Sequence, residues 1–180
     1  RLQSLAEELS GQTGVEVIPL CFDVRRRDEV EAAAEELKGR GIELNHLINN
    51  AGLALGLSDI ANGDVDDWDQ MIDTNVKGLL YATRSFLQLM PDGGHIVNIG
   101  SIAGKEVYPS GNVYCASKHA VDALNRAMRI DLLDRRIRVS QVAPGLADTE
   151  FSIVRFKGDS EKAKKVYEGL VPLYAQDIAD

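Results

Sequence analysis

The chain has 180 residues, 44% of them hydrophobic and 27% charged, with a formal net charge of −8 and a sequence pI of about 4.9. That length supports one domain with a substantial core, and the acidic balance argues against nucleic acid or an anionic membrane as a partner. No apolar run approaches the roughly 18 residues of a membrane span. Cys21 and Cys115 have neither metal-ligand nor C-x-x-C spacing, which points to a reduced, cytoplasmic setting.

In chain order, Leu2, Leu5, Ala6 and Leu9 have helical spacing, and Gly11 and Gly14 close that helix. Val15 to Cys21 is apolar and β-branched and reads as a buried strand, followed by Asp23. Arg26 to Leu37 reads as a helix with Val30, Ala33, Ala34 and Leu37 on one stripe. Leu44 to Ile48 is a second strand, running into Asn49-Asn50-Ala51-Gly52. A helical pattern from about Val65 to Met90 is broken by Pro91-Asp92-Gly93-Gly94. His95 to Ile99 is a third strand, followed by Gly100-Ser101; Asn112 to Asp134 is a second long helix. Ile137 to Val142 is a fourth strand, ending at Pro144-Gly145. Residues 146–158 read as polar and irregular, and Asp159 to Leu170 as helical. The chain starts at Arg1 without Met and ends in what reads as the first turn of a helix, so the expectation is a piece of a longer protein.

Strands alternating with helices through short connections predict an α/β fold, a parallel sheet covered by helices on both faces. Ligands of such sheets sit beyond the C-terminal strand ends. Asp23, Asn49 to Gly52, Ser101 and Pro144-Gly145 each directly follow a predicted strand.

Tyr114 and Lys118 stand one helical turn apart in Tyr-Cys-Ala-Ser-Lys, so both project from one helix face. A unit positive charge about 4 Å from the phenol, at an effective dielectric of about 20, lowers its pKa by about 3 units. The expectation is a phenol titrating near neutrality, suited to general acid–base work. Alone, Tyr-x-x-x-Lys also arises by chance in helices. Likewise Ser101 alone reads as a turn residue and Asp23 as a helix cap. Asn75 has apolar neighbours in Met71, Ile72, Val76 and Leu79, and a buried Asn needs partners.

Taken together, Asp23-Val24, Asn49-Asn50-Ala51-Gly52, Asn75 in Asp-Thr-Asn-Val-Lys-Gly, Ser101 in Asn-Ile-Gly-Ser, Tyr114 with Lys118, and Pro144-Gly145 with Thr149 resemble the short-chain dehydrogenase/reductase family. The order and spacing of six motifs carry the resemblance over essentially the whole chain. It implies a Rossmann-like, doubly wound parallel sheet in a three-layer αβα arrangement and hydride transfer with a nicotinamide cofactor. By resemblance Tyr114 is the proton donor or acceptor, Lys118 lowers its pKa and binds the nicotinamide ribose, and Ser101 holds the reacting oxygen. Asn75 holds a water that passes protons from Lys118 to solvent. Asp23 and Val24 lie at the adenine, Asn50, Ala51 and Gly52 let the backbone approach the cofactor, and Pro144, Gly145 and Thr149 contact the nicotinamide end and the phosphates.

A narrower resemblance, to the 3-hydroxy acid dehydrogenases, lies in Gly52-Leu-Ala-Leu-Gly56, in Trp68 to Asn75 and in the loop Thr149 to Gly158. It implies NADP, with NAD possible, and oxidation of serine, allo-threonine or 3-hydroxyisobutyrate. Arg155 is the candidate for the substrate carboxylate, because guanidinium suits planar bidentate recognition; a surface charge, or pairing with a carboxylate of its own chain, is the alternative. The family's glycine-rich phosphate loop, the strand whose end separates NAD from NADP, and a last strand have no counterpart here. The expectation is one dinucleotide-binding and catalytic domain over 1–180, lacking the first strand–helix unit and the C-terminal strand. By resemblance the two long helices pack against symmetry mates in a homodimer or homotetramer, the alternative being that each lies on the sheet of one subunit only. A small-molecule substrate is expected, and neither nucleic acid nor membrane as partner. A 3-oxoacyl thioester or sugar alcohol reductase, and a non-catalytic dinucleotide-binding module, are the competing readings.

Overall fold

The computed structural model describes residues 1–180. Helix α1 (Leu2–Thr13) ends where Gly14 adopts φ +70, the left-handed turn that glycine enters without a Cβ penalty. Helix α2 (Arg27–Gly39) buries the predicted stripe Val30, Ala33, Ala34 and Leu37. Strands β1 (His46–Asn49), β2 (His95–Ile99) and β3 (Arg138–Val142) form one parallel sheet in that order. Leu47 pairs with Ile96 and Ile96 with Val139, which places all three on one face.

That face is the core. Ile96 and Val139 pack with Val121 and Met128 of α5 (Asn112–Asp131) and with Leu79 of α4 (Leu79–Phe86). Beside them α2 packs on Ala82 and Phe86 of α4, with Leu47 partly buried against both. One residue pair further along the same face, Asn49 donates to Asn98 Oδ1 at 2.9 Å and to Thr83 Oγ1 at 2.9 Å, and Asn98 donates to Asn125 Oδ1 at 3.0 Å. This amide chain satisfies polar groups that burial would otherwise penalise, and it fixes α4 and α5 to the strand ends where the site lies. On the opposite face Ile48 is 62% exposed.

The predicted helix from Val65 to Met90 is one helical run of three kinds. Helix α3 (Val65–Ile72) passes into a π-helical turn (Asp73–Gly78), then into α4, and a 3-10 turn (Leu87–Leu89) ends it. Helix α5 stops at Asp131 instead of Asp134, and α7 (Ser160–Lys165) ends well before Leu170. Residues 146–158, read as irregular, contain β4 (Ala147–Asp148) and α6 (Phe151–Arg155); β4 pairs in parallel with β5 (Leu173–Tyr174), which leads into α8 (Ala175–Ala179).

Val15 to Cys21 does not become a strand. It runs extended, but no strand lies alongside and its backbone joins no ladder. The β-branched composition was real, and Leu20 and Phe22 do pack on the α2–α4 cluster; a strand additionally needs a neighbour to hydrogen-bond.

Candidate active site

Three segments converge beyond the C-terminal ends of β1, β2 and β3. Tyr114 and Lys118 lie on one face of α5 and are 8% and 6% exposed. Ser101 follows β2 directly and starts a 3-10 turn (Ile102–Gly104) by accepting from the Ala103 N–H at 3.1 Å. Gly104 lets that turn lie against α5: a Cβ there would come within 2.5 Å of the Lys118 carbonyl oxygen.

Lys118 Nζ donates to the Ile99 carbonyl at 2.9 Å and stands 6.0 Å from the Tyr114 ring centroid. Burial lowers its pKa to about 8. The Tyr114 phenol is not depressed to near neutrality as its spacing from Lys118 suggested. Burial pushes it above its ordinary value, while the Ser101 side chain and the Arg155 guanidinium pull it back. The reason is geometric: the ammonium is turned toward a backbone carbonyl, and the low-dielectric site penalises both charges.

Asn75 is buried in the π-helical turn. Its side-chain amide makes a two-way pair with the backbone of Leu53, Nδ2 donating to the Leu53 carbonyl and Oδ1 accepting from its N–H, both at 2.8 Å. Nδ2 also donates to Ser117 Oγ at 3.0 Å, and Ser117 donates to the Tyr114 carbonyl at 2.7 Å. One side chain thus ties the loop after β1 to the helix of the Tyr–Lys pair. Gly52 sits in that junction, where a Cβ would lie 3.3 Å from Asn75 Oδ1 and 3.6 Å from Lys118 Nζ.

A cleft of about 980 Å³ opens over these groups. Ser101, Tyr114 and Lys118 line it, as do Asn50 and Gly52. Pro144, Gly145, Thr149 and Arg155 line it as well. Thr149 Oγ1 accepts from the Phe151 N–H at 3.2 Å, and the Pro144 carbonyl accepts from the Ile102 N–H at 3.0 Å. Ala51 is exposed in the loop after β1 and does not line the cleft. Asp23 and Val24 do not line it: Asp23 is paired with Arg25 at 2.5 Å, which lowers its pKa, and Val24 packs on Gly78 of the π-helical turn. Asp23 does not cap α2, whose N-cap residue is Arg26.

Arg155 pairs with no carboxylate of the chain. Its guanidinium carbon lies 5.4 Å from the Tyr114 ring centroid and 5.6 Å from that of Tyr108. One Nη donates to Tyr108 Oη at 2.5 Å and Nε donates to the Gly56 carbonyl at 3.2 Å. Tyr108 and Ser117 were not singled out from sequence. Their importance depends on long-range packing against Arg155 and Asn75, and neither carries a local pattern; the aromatic six residues before Tyr114 was the only available sign.

A parallel sheet with a buried tyrosine, lysine and serine at its C-terminal edge defines an oxidoreductase of the Rossmann-like class. A family model, short chain dehydrogenase, matches residues 1–159. The chain belongs to the short-chain dehydrogenase family. The NADP-dependent 3-hydroxy acid dehydrogenase of Salmonella typhi is 46% identical over 183 residues, spanning 100% of this chain and 72% of that protein. The sulfoacetaldehyde reductase of Chromohalobacter salexigens is 44% identical over 183 residues, with the same coverage of each. Among solved structures, the closed form of serine dehydrogenase complexed with NADP+ superposes with a TM-score of 0.88 at 43% identity, covering 99% of this chain and 73% of that one.

Proposed function

We propose that this protein transfers a hydride between NADP(H) and the 3-hydroxyl or 3-oxo group of a small 3-hydroxy acid. The observation that carries the substrate class is Arg155, a cation without a carboxylate partner held beside the Tyr114 ring in the cleft. It suits an anion a short distance from the reacting carbon. Relatives are named for 3-hydroxy acids and for serine, compounds that carry a carboxylate, and this supports the same reading. Sulfoacetaldehyde places a sulfonate in a similar relation to a carbonyl, so a sulfonated aldehyde is the second reading.

The residues present fit the nicotinamide end of such a cofactor. A Cβ on Gly52 would lie 3.6 Å from Lys118 Nζ, so its absence leaves space there, and Pro144 and Gly145 line the same cleft. When bound, a nicotinamide ring would supply hydride transfer here. For oxidation, Tyr114 in its phenolate form would take the hydroxyl proton; for reduction the phenol would return it. The Ala103 N–H occupies an acceptor site of Ser101 Oγ, leaving the hydroxyl proton to donate to the reacting oxygen. Lys118, with protons to spare beyond the Ile99 carbonyl, would hold the ribose of a bound cofactor. Asn75 has its side-chain amide engaged by Leu53 and Ser117, so a relay water would be held by the backbone of the π-helical turn.

Residues 1–180 act as one dinucleotide-binding and catalytic domain in this reading, because two core clusters share Leu44 and Leu47 at β1 and the third is built around Tyr114 itself. The protein works in the cytoplasm, consistent with two unpaired cysteines. It assembles as a dimer or tetramer through α4 and α5, where Leu80, Ala116, Ala123, Ala127 and Ile130 are exposed. No helix is long and apolar enough to cross a membrane.

The test is Arg155→Ala. The variant should raise KM for a 3-hydroxy acid roughly thirtyfold, the scale of a charged hydrogen-bond pair, and leave KM for a short uncharged alcohol almost unchanged. Equal effects on both substrates would sink the carboxylate assignment.

A further inference from the structure

Residues 149–158 carry Arg155 and are tied to the segment 53–67 at three points. The Gly56 N–H donates to the Arg155 carbonyl at 2.9 Å, and Arg155 Nε donates back to the Gly56 carbonyl at 3.2 Å. The third tie is ionic: Lys157 Nζ lies 2.8 Å from Asp67 Oδ1 and 3.4 Å from Asp64 Oδ2.

The ionic tie is better built than most surface pairs. The Asp67 side chain is only 13% exposed, so its charge is partly shielded from water and salt. It lies in the first turn of α3, where the helix dipole favours a carboxylate. Asp64 is the N-cap of the same helix and accepts from the Asp66 N–H at 3.0 Å, so it is fixed before Lys157 arrives. Lys157 reaches both from the left-handed region, at φ +53, followed by Gly158 at φ +95. An L side chain at that φ stands at a conformational cost that its surroundings must offset. None of Lys157, Asp64 and Asp67 lines the large cleft. All three line a smaller pocket of about 380 Å³ that Tyr114 and Arg155 also line, and Arg155 lines the large cleft too.

We propose that Lys157 is a positioning residue: its ion pair with Asp67 holds α6 against α3 at the separation that presents the Arg155 guanidinium to the substrate anion. This rests on the Arg155 reading above. Without the pair, α6 keeps its two Gly56 contacts, the Arg155–Tyr108 hydrogen bond, Phe151 against the Tyr114 ring and Ser152 to Tyr167, but its Lys157 end is no longer tied to α3 and loosens there. Arg155 then meets the anion in a fraction of molecules, which appears as weaker binding of charged substrates and not as slower chemistry.

The test combines a measurement that needs no substrate with one that does, on the full-length protein. In Lys157→Gln, amide hydrogen exchange across residues 149–158 should quicken about fivefold, the scale of one partly exposed ion pair. KM for a 3-hydroxy acid should rise by about the same factor, with kcat and the KM for a short uncharged alcohol unchanged. Lys157→Arg should restore both, and Asp67→Asn should reproduce the Gln phenotype, which also serves if Lys157→Gln fails to fold. Unchanged exchange would overturn the tie itself. Faster exchange with equal losses on charged and uncharged substrates would overturn its role in presenting Arg155. If Arg155→Ala leaves KM unchanged while exchange still quickens in Lys157→Gln, it is the substrate reading that fails and not the tie.

Discussion

Burial holds Lys118 at a pKa of about 8, below the value of roughly 10.4 that lysine has in water. Below the lower value the folded and unfolded chains both carry the proton, and the fold bears the cost of a buried ammonium. Between the two values the unfolded chain binds more protons than the folded one, so stability rises with pH, and above both it gains no more. Relative to Lys118→Met, wild-type unfolding free energy in urea should therefore grow by about 3 kcal/mol from neutral pH to about pH 10. A pH-independent difference would mean that the ammonium is not desolvated. The residue scale also marks the limit of sequence reading. The Tyr114–Lys118 spacing and Ser101 after a strand were legible because a helical turn and a strand end are local facts. The direction of the Tyr114 shift was not, because it depends on how deeply the ring is buried and on where the ammonium points.

The element that most shapes the site is the π-helical turn. Its extra residue per turn leaves Asn75 facing Leu53 and Ser117 inside a run that otherwise continues from Val65 to Leu89. Asn75→Ala would leave the partly buried Leu53 N–H and carbonyl without those partners, costing about 1–3 kcal/mol of stability; thermal or urea unfolding measures it. A loss under about 0.5 kcal/mol would show that water substitutes easily. Gly104→Ala tests a second junction, where the new Cβ would meet the Lys118 backbone at 2.5 Å. Overpacking of that kind costs about 1–3 kcal/mol, and displacement of Lys118 should also lower kcat; wild-type stability and kcat together would contradict the close contact. The long helical run was legible from its apolar spacing, but a π-helical turn shares that spacing and left no separate mark. Helix α6 and strand β4 were read as irregular because each is five residues or shorter and held by distant segments, as Gly56 holds Arg155 and Leu173 pairs with Ala147.

At the scale of the whole molecule, alternation of strands and helices indicated a parallel sheet, and β1, β2 and β3 form one with the core on the Leu47–Ile96–Val139 face. Val15–Cys21 could not be placed from composition alone, since pairing is a property of two segments. The exposed face of α5 carries Ala116, Ala123 and Ala127 with Ile130 at 76% exposure, small enough for another helix to approach closely. Ala123→Arg should lower the solution mass measured by light scattering to that of a smaller assembly or a monomer, and an unchanged mass would place the interface elsewhere. The central claim is that Tyr114 moves the proton in an NADP-linked oxidation of 3-hydroxy acids. Its most direct measurement is NADPH formation by the full-length wild-type protein and Tyr114→Phe with serine and 3-hydroxyisobutyrate, alongside cofactor binding by each. The account predicts wild-type turnover of both acids and a fall in kcat of at least about a thousandfold in the variant, with cofactor binding retained. Turnover by Tyr114→Phe at the wild-type rate would contradict it.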